Sequence, residues 1–173
     1  VTPVKRSHIA IGKIIALSTL SLISGICSFL GIILSLPKLV GGTGNISATV
    51  YTASDYIMLL GIVLSSVLVI VALISLISAF AKSVKEATNM IGPLMILVVL
   101  LGVSTMFTSG SAGAFFWYLI PLYNSARAMS GIFSFAASPL NVIITIASNL
   151  VVALLLAFAL AKMFDNEKIM FNK

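Results

Sequence analysis

Residues able to do chemistry are few in this chain of 173 residues. It holds one histidine, His8, and one cysteine, Cys27, so neither a metal cluster nor an internal disulfide framework can be built from them. His8 stands beside cations with no carboxylate nearby and reads as an incidental surface histidine, while Cys27 reads as a small apolar residue of a helix. The acids are Asp55, Glu86, Asp165 and Glu167, none of them deep in an apolar tract. Self-powered, proton-coupled transport needs such a buried carboxylate as its relay, so the energy source is expected on another polypeptide. No H-E-x-x-H, Walker A or G-x-S-x-G pattern occurs. Gly110-Ser111-Ala112-Gly113 lacks the G-x-S-G spacing of intramembrane serine hydrolysis and reads as a turn. Asn45-Ile46-Ser47 fits a glycosylation acceptor, a tripeptide common by chance. Two polar residues stand out within apolar surroundings. Asn149 is an amide that needs either an interhelical hydrogen bond or a substrate, and Arg127 is the one charge between residues 87 and 161. No catalytic residues, no metal and no bound cofactor are expected.

The elements that carry these residues follow from composition. Of the chain 60% is hydrophobic and 8% charged, with a mean hydropathy of +1.22. A soluble domain carries about 25% charged residues to solvate its surface, so most of this chain must be dissolved in lipid. Its ten cations against four acids sit in small groups at the borders of neutral tracts, which marks membrane boundaries and argues against nucleic acid. Charges are absent from residues 14–37, 56–81, 87–126 and 128–161. The 23 residues 14–36 reach roughly 34 Å as a helix, enough to cross a hydrocarbon core of about 30 Å. They are also too long for a signal peptide, and no small-residue cleavage pattern closes them. Spans are expected at about 14–36, 56–81, 89–107 and 140–161. Asp55 is the expected N-cap of the second, and Pro93 is expected in the first turn of the third.

Residues 115–138 are apolar enough to suggest a fifth span, but Pro121 breaks the helix ladder and Arg127 would cost about 2.5 to 3.5 kcal/mol or more at the bilayer centre. With four spans, Lys5, Arg6, Lys13, Lys82, Lys85, Lys162, Lys168 and Lys173 share one side, and only Lys38 and Arg127 lie on the other. That asymmetry places both ends of the segment in the cytoplasm of a multi-pass plasma (inner) membrane protein. The expected fold is therefore all-α, a polytopic membrane helix bundle forming a single transmembrane domain over residues 1–173. It has four transmembrane helices plus an outer re-entrant or interfacial helical hairpin at 115–138, with Trp117, Tyr118 and Tyr123 in the headgroup zone.

Small residues form stripes on three spans: Ser18, Ser21, Gly25, Ser28, Ile32 and Ser35; Gly61, Ser65, Leu68, Ala72, Ser75 and Ala79; Thr145, Asn149, Ala153, Ala157 and Ala161. Lipid supplies no hydrophobic drive between helices, so such faces serve close backbone packing; the other reading is that their hydroxyls line a passage.

The opening Thr2-Pro3-Val4-Lys5-Arg6-Ser7-His8-Ile9-Ala10-Ile11-Gly12-Lys13 resembles the "TPV-x-R-x-x-I-x-x-G-K" stretch that precedes the third span in permease subunits of type-2 ATP-binding-cassette exporters. Ile120-Pro121-Leu122-Tyr123-Asn124 and the ending Phe164-Asp165-Asn166-Glu167-Lys168-Ile169-Met170-Phe171 are similar to the sodium-efflux, NatB-like branch. The resemblance implies the C-terminal part, spans three to six, of a six-span permease. A start at Val1, with the first methionine at Met58, agrees with that expectation. It implies further that Thr2, Pro3, Lys5, Arg6, Gly12 and Lys13 meet an ATP-binding-cassette ATPase subunit, which carries the ATP and Mg. It also implies that Pro121, Asn124 and Arg127 belong to an outer hairpin, and that the permease works as a homodimer or heterodimer in the lipid bilayer. The competing class is a non-transporting membrane anchor or immunity-type protein. Sodium, drugs, peptides and lipids all stay open as substrates, because no carboxylate in the spans marks a strong cation site.

Overall fold

A computed structural model of the chain describes residues 6–40, 51–81, 83–107 and 115–165. The regular elements among them are all helical. They are α1 (Arg6–Val40), α2 (Ala53–Phe80), α3 (Val84–Phe107), a short 3-10 turn (Phe115–Leu119), α4 (Tyr123–Phe133) and α5 (Pro139–Asp165). Four of these helices contain stretches long and apolar enough to cross a membrane: Ile15–Ser35, Ala53–Phe80, Val84–Thr105 and Pro139–Met163. The all-helical bundle expected from the charge-free tracts is thus the observed architecture.

Helix α2 is the centre. It is apolar on every side, as a helix surrounded by others should be, and it packs most extensively on α5, then on α1, with further contacts to α4 and α3. Leu59, Ile62 and Val69 on α2 are fully buried, and Phe29, Tyr51, Ala128, Ile132 and Val142 close around Leu59 and Ile62. Two glycines set the helix separations. A Cβ on Gly25 would lie 3.2 Å from Leu64 Cδ2, and one on Gly61 would lie 2.7 Å from Ile146 Cδ1. The stripes of α2 and α5 therefore face each other. The stripe of α1 meets α2 at Gly25; beyond it Ser28 and Ser35 are exposed, and the core contact passes to Phe29, off the stripe, with Ile32 and Ile33 packed beside it.

Local capping explains two helix starts. Thr52 is the N-cap of α2, and Asp55 stands at the third helical position, where its Oδ2 accepts the Thr52 N–H at 2.8 Å. Asp55 is therefore the reciprocal member of a capping box and not the N-cap. Ser83 caps α3, its Oγ accepting the Glu86 N–H at 3.2 Å. The helix begins early enough that Pro93 falls in its interior, where it cannot donate to the Asn89 carbonyl, and not in the first turn. Helix α3 stands apart: its most apolar stretch holds no buried residue, and among the described elements it touches only α4 and α2.

Helix α1 runs unbroken for 35 residues, about 52 Å at 1.5 Å per residue. Arg6, Gly12 and Lys13 thus continue the spanning helix instead of forming a separate element. The side chains of Arg6 and Lys13 lie outside the described residues, as do Thr2, Pro3 and Lys5, the border cations Lys82, Lys168 and Lys173, and the turn expected at 108–113.

Candidate functional site

Beneath the hairpin formed by the 3-10 turn and α4, polar side chains from three elements meet in the interior. Asn149 of α5 donates through Nδ2 to Ser125 Oγ of α4 at 2.8 Å and to Ser65 Oγ of α2 at 3.2 Å. Ser125 Oγ donates to Asn124 Oδ1 at 3.2 Å, and Asn124 donates through Nδ2 to the Tyr118 carbonyl at 3.1 Å. Ser65 donates back to the Ile62 carbonyl at 3.0 Å. Asn124, Thr145 and Asn149 are fully buried and Ser65 and Ser125 almost so. Interhelical hydrogen bonds of this kind contribute about 0.6 kcal/mol each, with a maximum near 1.7, so the bond to Ser125 fastens the hairpin to α5 by about that much and the bond to Ser65 ties α5 to α2 by a similar amount. Two atoms of the node have no protein partner: Thr145 Oγ1 and Asn149 Oδ1. Leaving a buried polar atom unmet costs on the order of 1–3 kcal/mol.

The hairpin is shaped by its ends. Pro121 precedes Leu122, the N-cap of α4, which sits at φ 70 and ψ −49. That conformation is sparsely populated for a residue with a Cβ and costs roughly 1–3 kcal/mol. It turns the chain so that Tyr123, Asn124 and Ser125 enter the interior. At the other end Phe135 takes φ 57, and the Ala136 N–H reaches the Gly131 carbonyl at 2.9 Å while the Phe135 N–H reaches the Ile132 carbonyl at 3.1 Å. This is a Schellman closure, which ordinarily prefers glycine at the left-handed position. Phe135 occupies it because its ring stacks on Tyr51, centroids 5.0 Å apart, while the Tyr51 hydroxyl donates to the Phe133 carbonyl at 3.3 Å. Burial pushes the Tyr51 phenol above its ordinary pKa, and Tyr56 and Asp55 push it further.

Arg127 projects from α4 into an aromatic cradle. Its guanidinium carbon lies 5.7 Å from the Tyr118 ring centroid, and Nη1 donates to the Tyr123 hydroxyl at 3.4 Å. Burial acts to lower its pKa, but the bonds to Tyr118 and Tyr123 outweigh it and hold the group charged. Trp117 packs on Tyr123 with centroids 5.4 Å apart. Pro121, Asn124 and Arg127 therefore share one hairpin, and the structure joins Asn124 to Asn149 through Ser125.

Along the other half of the bundle, an apolar groove of about 230 Å³ runs between α1, α2 and α5, with Ser18, Ala72, Ser75, Ala153 and Ala157 among its walls. Its lining is apolar apart from the hydroxyls of Ser18 and Ser75. Cys27 is exposed on the bundle's outside. Among the described residues no group of histidines, cysteines or acids is placed to hold a metal ion. The node itself offers neutral amides and hydroxyls, chemistry suited to positioning and hydrogen bonding and not to proton transfer.

Asn149 and Asn124 both stand out in the sequence, but nothing in it connects them. Ser65 and Thr145 were present in the stripes, one turn of helix being the spacing that ties Thr145 to Asn149, whereas Ser125 carried no signal of its own. In comparisons with known proteins, a family model described as ABC-2 family transporter protein matches residues 1–168. No curated protein and no solved structure matches the chain.

Proposed function

Because this chain belongs to the ABC-2 transporter family, and so is a membrane permease component of an ABC transporter, we propose that it moves substrate out of the cell on energy supplied by a separate ATPase subunit. The observation that carries this reading is a family match over nearly the whole of a chain built from four membrane-crossing helices. ATP and Mg are handled by the partner ATPase. The cation asymmetry supports an orientation with both ends of the segment in the cytoplasm of the plasma membrane. The permease then works as a dimer, of like or unlike copies.

An ATPase that closes on nucleotide can move a permease only through a stiff element seated in its surface. Helix α1 extends without a break from Arg6 through the span, and so can transmit a push at its start along its whole length. In this reading Thr2, Pro3, Lys5, Arg6, Gly12 and Lys13 form the ATPase contact, with the cations pairing to acids on the partner. Anchoring to anionic headgroups at about 1 kcal/mol per cation is the competing role. The double substitution Lys5→Glu and Arg6→Glu, in the full-length permease expressed with its ATPase, separates the two. Loss of ATPase co-purification with normal insertion is expected, and unchanged co-purification with normal insertion would remove the docking role.

The substrate proposed first is sodium, from the similarity of the hairpin and the C-terminal stretch to the sodium-efflux branch. ATP-dependent accumulation of radioactive sodium in inverted vesicles tests it. Accumulation equal to that of vesicles lacking the permease would move the assignment to hydrophobic peptides, drugs or lipids.

A further inference from the structure

Asn149 is oriented by its neighbours. Both hydroxyls it faces have already spent their protons, Ser65 on the Ile62 carbonyl and Ser125 on Asn124 Oδ1, so each needs a donor. The amide nitrogen must therefore point at them, and an inverted amide would set three acceptors against one another. That leaves Asn149 Oδ1 directed elsewhere with both lone pairs unmet, and Thr145 Oγ1, also fully buried, is unmet as well. The two residues are four apart on α5 and so lie on one helix face with Cβ atoms about 5–6 Å apart. Two hydrogen bonds of roughly 2.8 Å meeting at the bent angle of a water molecule join oxygens about 4–5 Å apart, a reach compatible with side chains one turn apart on such a face. The unmet capacity is acceptor-rich with one hydroxyl donor and carries no charge, which matches a small neutral molecule able both to give and to accept.

We propose that Thr145 Oγ1 and Asn149 Oδ1 hold one buried water molecule on the inward face of α5, donating to the amide oxygen and bonded to the threonine hydroxyl. Buried waters occupy positions of this kind, where otherwise unmet polar groups supply two to four partners. The water completes the node that joins α5 to α2 and to the hairpin, and it makes Thr145 a member of that node with no direct protein bond.

The test uses the full-length permease assembled with its ATPase in lipid nanodiscs, imaged by electron cryomicroscopy at a resolution that resolves ordered water. The expected result is one peak within about 2.7–3.2 Å of both atoms. An empty position between ordered side chains, separate peaks on the two groups, or a peak ringed by four or more oxygens as a cation would be, each overturns the proposal. A thermal-unfolding cycle gives an independent readout. Thr145→Val should lower the unfolding midpoint in the otherwise wild-type permease by at least twice as much as it does alongside Asn149→Ala, because the bridge is already gone in the second case. Equal shifts in the two backgrounds overturn it. Ser125→Ala, which leaves both bridge atoms in place, should leave the Thr145→Val shift unchanged.

Discussion

Replacing Gly61 tests the central contact of the bundle. A Cβ at this position would stand 2.7 Å from Ile146 Cδ1 and 3.7 Å from Ile146 Cγ1, whereas carbons in good contact lie about 3.5–4.0 Å apart. The isoleucine tip must therefore retreat by roughly 1 Å. Because only the far end of a flexible side chain is struck, Gly61→Ala is expected to be nearly neutral, the strain being offset by alanine's preference for helix of about 1 kcal/mol over glycine. Gly61→Val has no such escape. Its two further methyls enter the same space from a stiff β-branched stem, and overpacking of this kind costs about 1–3 kcal/mol. For a chain of this size each kcal/mol corresponds to about 2–4 °C in the unfolding midpoint, so a loss of roughly 2–12 °C is expected. The assay is thermal unfolding of the purified permease in one detergent. Ile146→Ala should cost stability alone by leaving a void, yet recover at least half the loss when combined with Gly61→Val, since the smaller side chain makes room. If Gly61→Val melts with wild type, or if the two losses simply add, then α2 and α5 do not approach at Gly61 as described.

Two more outcomes follow from local geometry. Leu122→Gly removes a Cβ from a residue at φ 70 and should stabilise the hairpin by up to roughly 1 kcal/mol, measured as slower amide hydrogen exchange across α4; faster exchange would mean that Leu122 is not strained. Asp55→Ala deletes the acceptor of the Thr52 N–H and should cost about 0.5–2 kcal/mol in thermal unfolding, with exchange rising first in the opening turn of α2; a neutral result would dismiss the capping box.

What the sequence made legible, and what it hid, divides along the range of the interactions. Helix content and the number of crossing helices depend on where charges are absent, a property of each stretch by itself, and the tracts around Ile62 or Leu154 announced themselves as lipid-soluble. Small-residue spacing likewise pointed to Gly61, Ser65 and Asn149 as facing positions. Caps were less visible, because a threonine followed three residues later by an acid offers two candidate caps, and only the bond from the Thr52 N–H to Asp55 decides between them. The stripe of α1 misled beyond Gly25, since Ser28 and Ser35 are exposed and the contact is carried by Phe29, off the stripe, with Ile32 and Ile33 packed against the same core. The node was least legible. Asn149 meets Ser125 across 24 residues of sequence and Ser65 across 84, and no periodicity within one helix encodes such pairings. The positive φ of Leu122 is equally hidden, because leucine gives no local sign of the turn that its proline and the buried Tyr123 impose.

The distance in sequence between Ser65 and Asn149 has a consequence for how the molecule is made. Synthesis proceeds at about 5–20 residues per second, so the 84 residues separating them take roughly 4–17 s to emerge. For that interval α2 is in the membrane while the partner of its hydroxyl does not yet exist. Ser65 waits without exposing a lone donor, because its proton is already held by the Ile62 carbonyl within its own helix. The amide arrives last and finds its acceptors prepared. The bond to Ile62 within α2 therefore keeps Ser65 from carrying an unmet proton in lipid until α5 docks and completes the node.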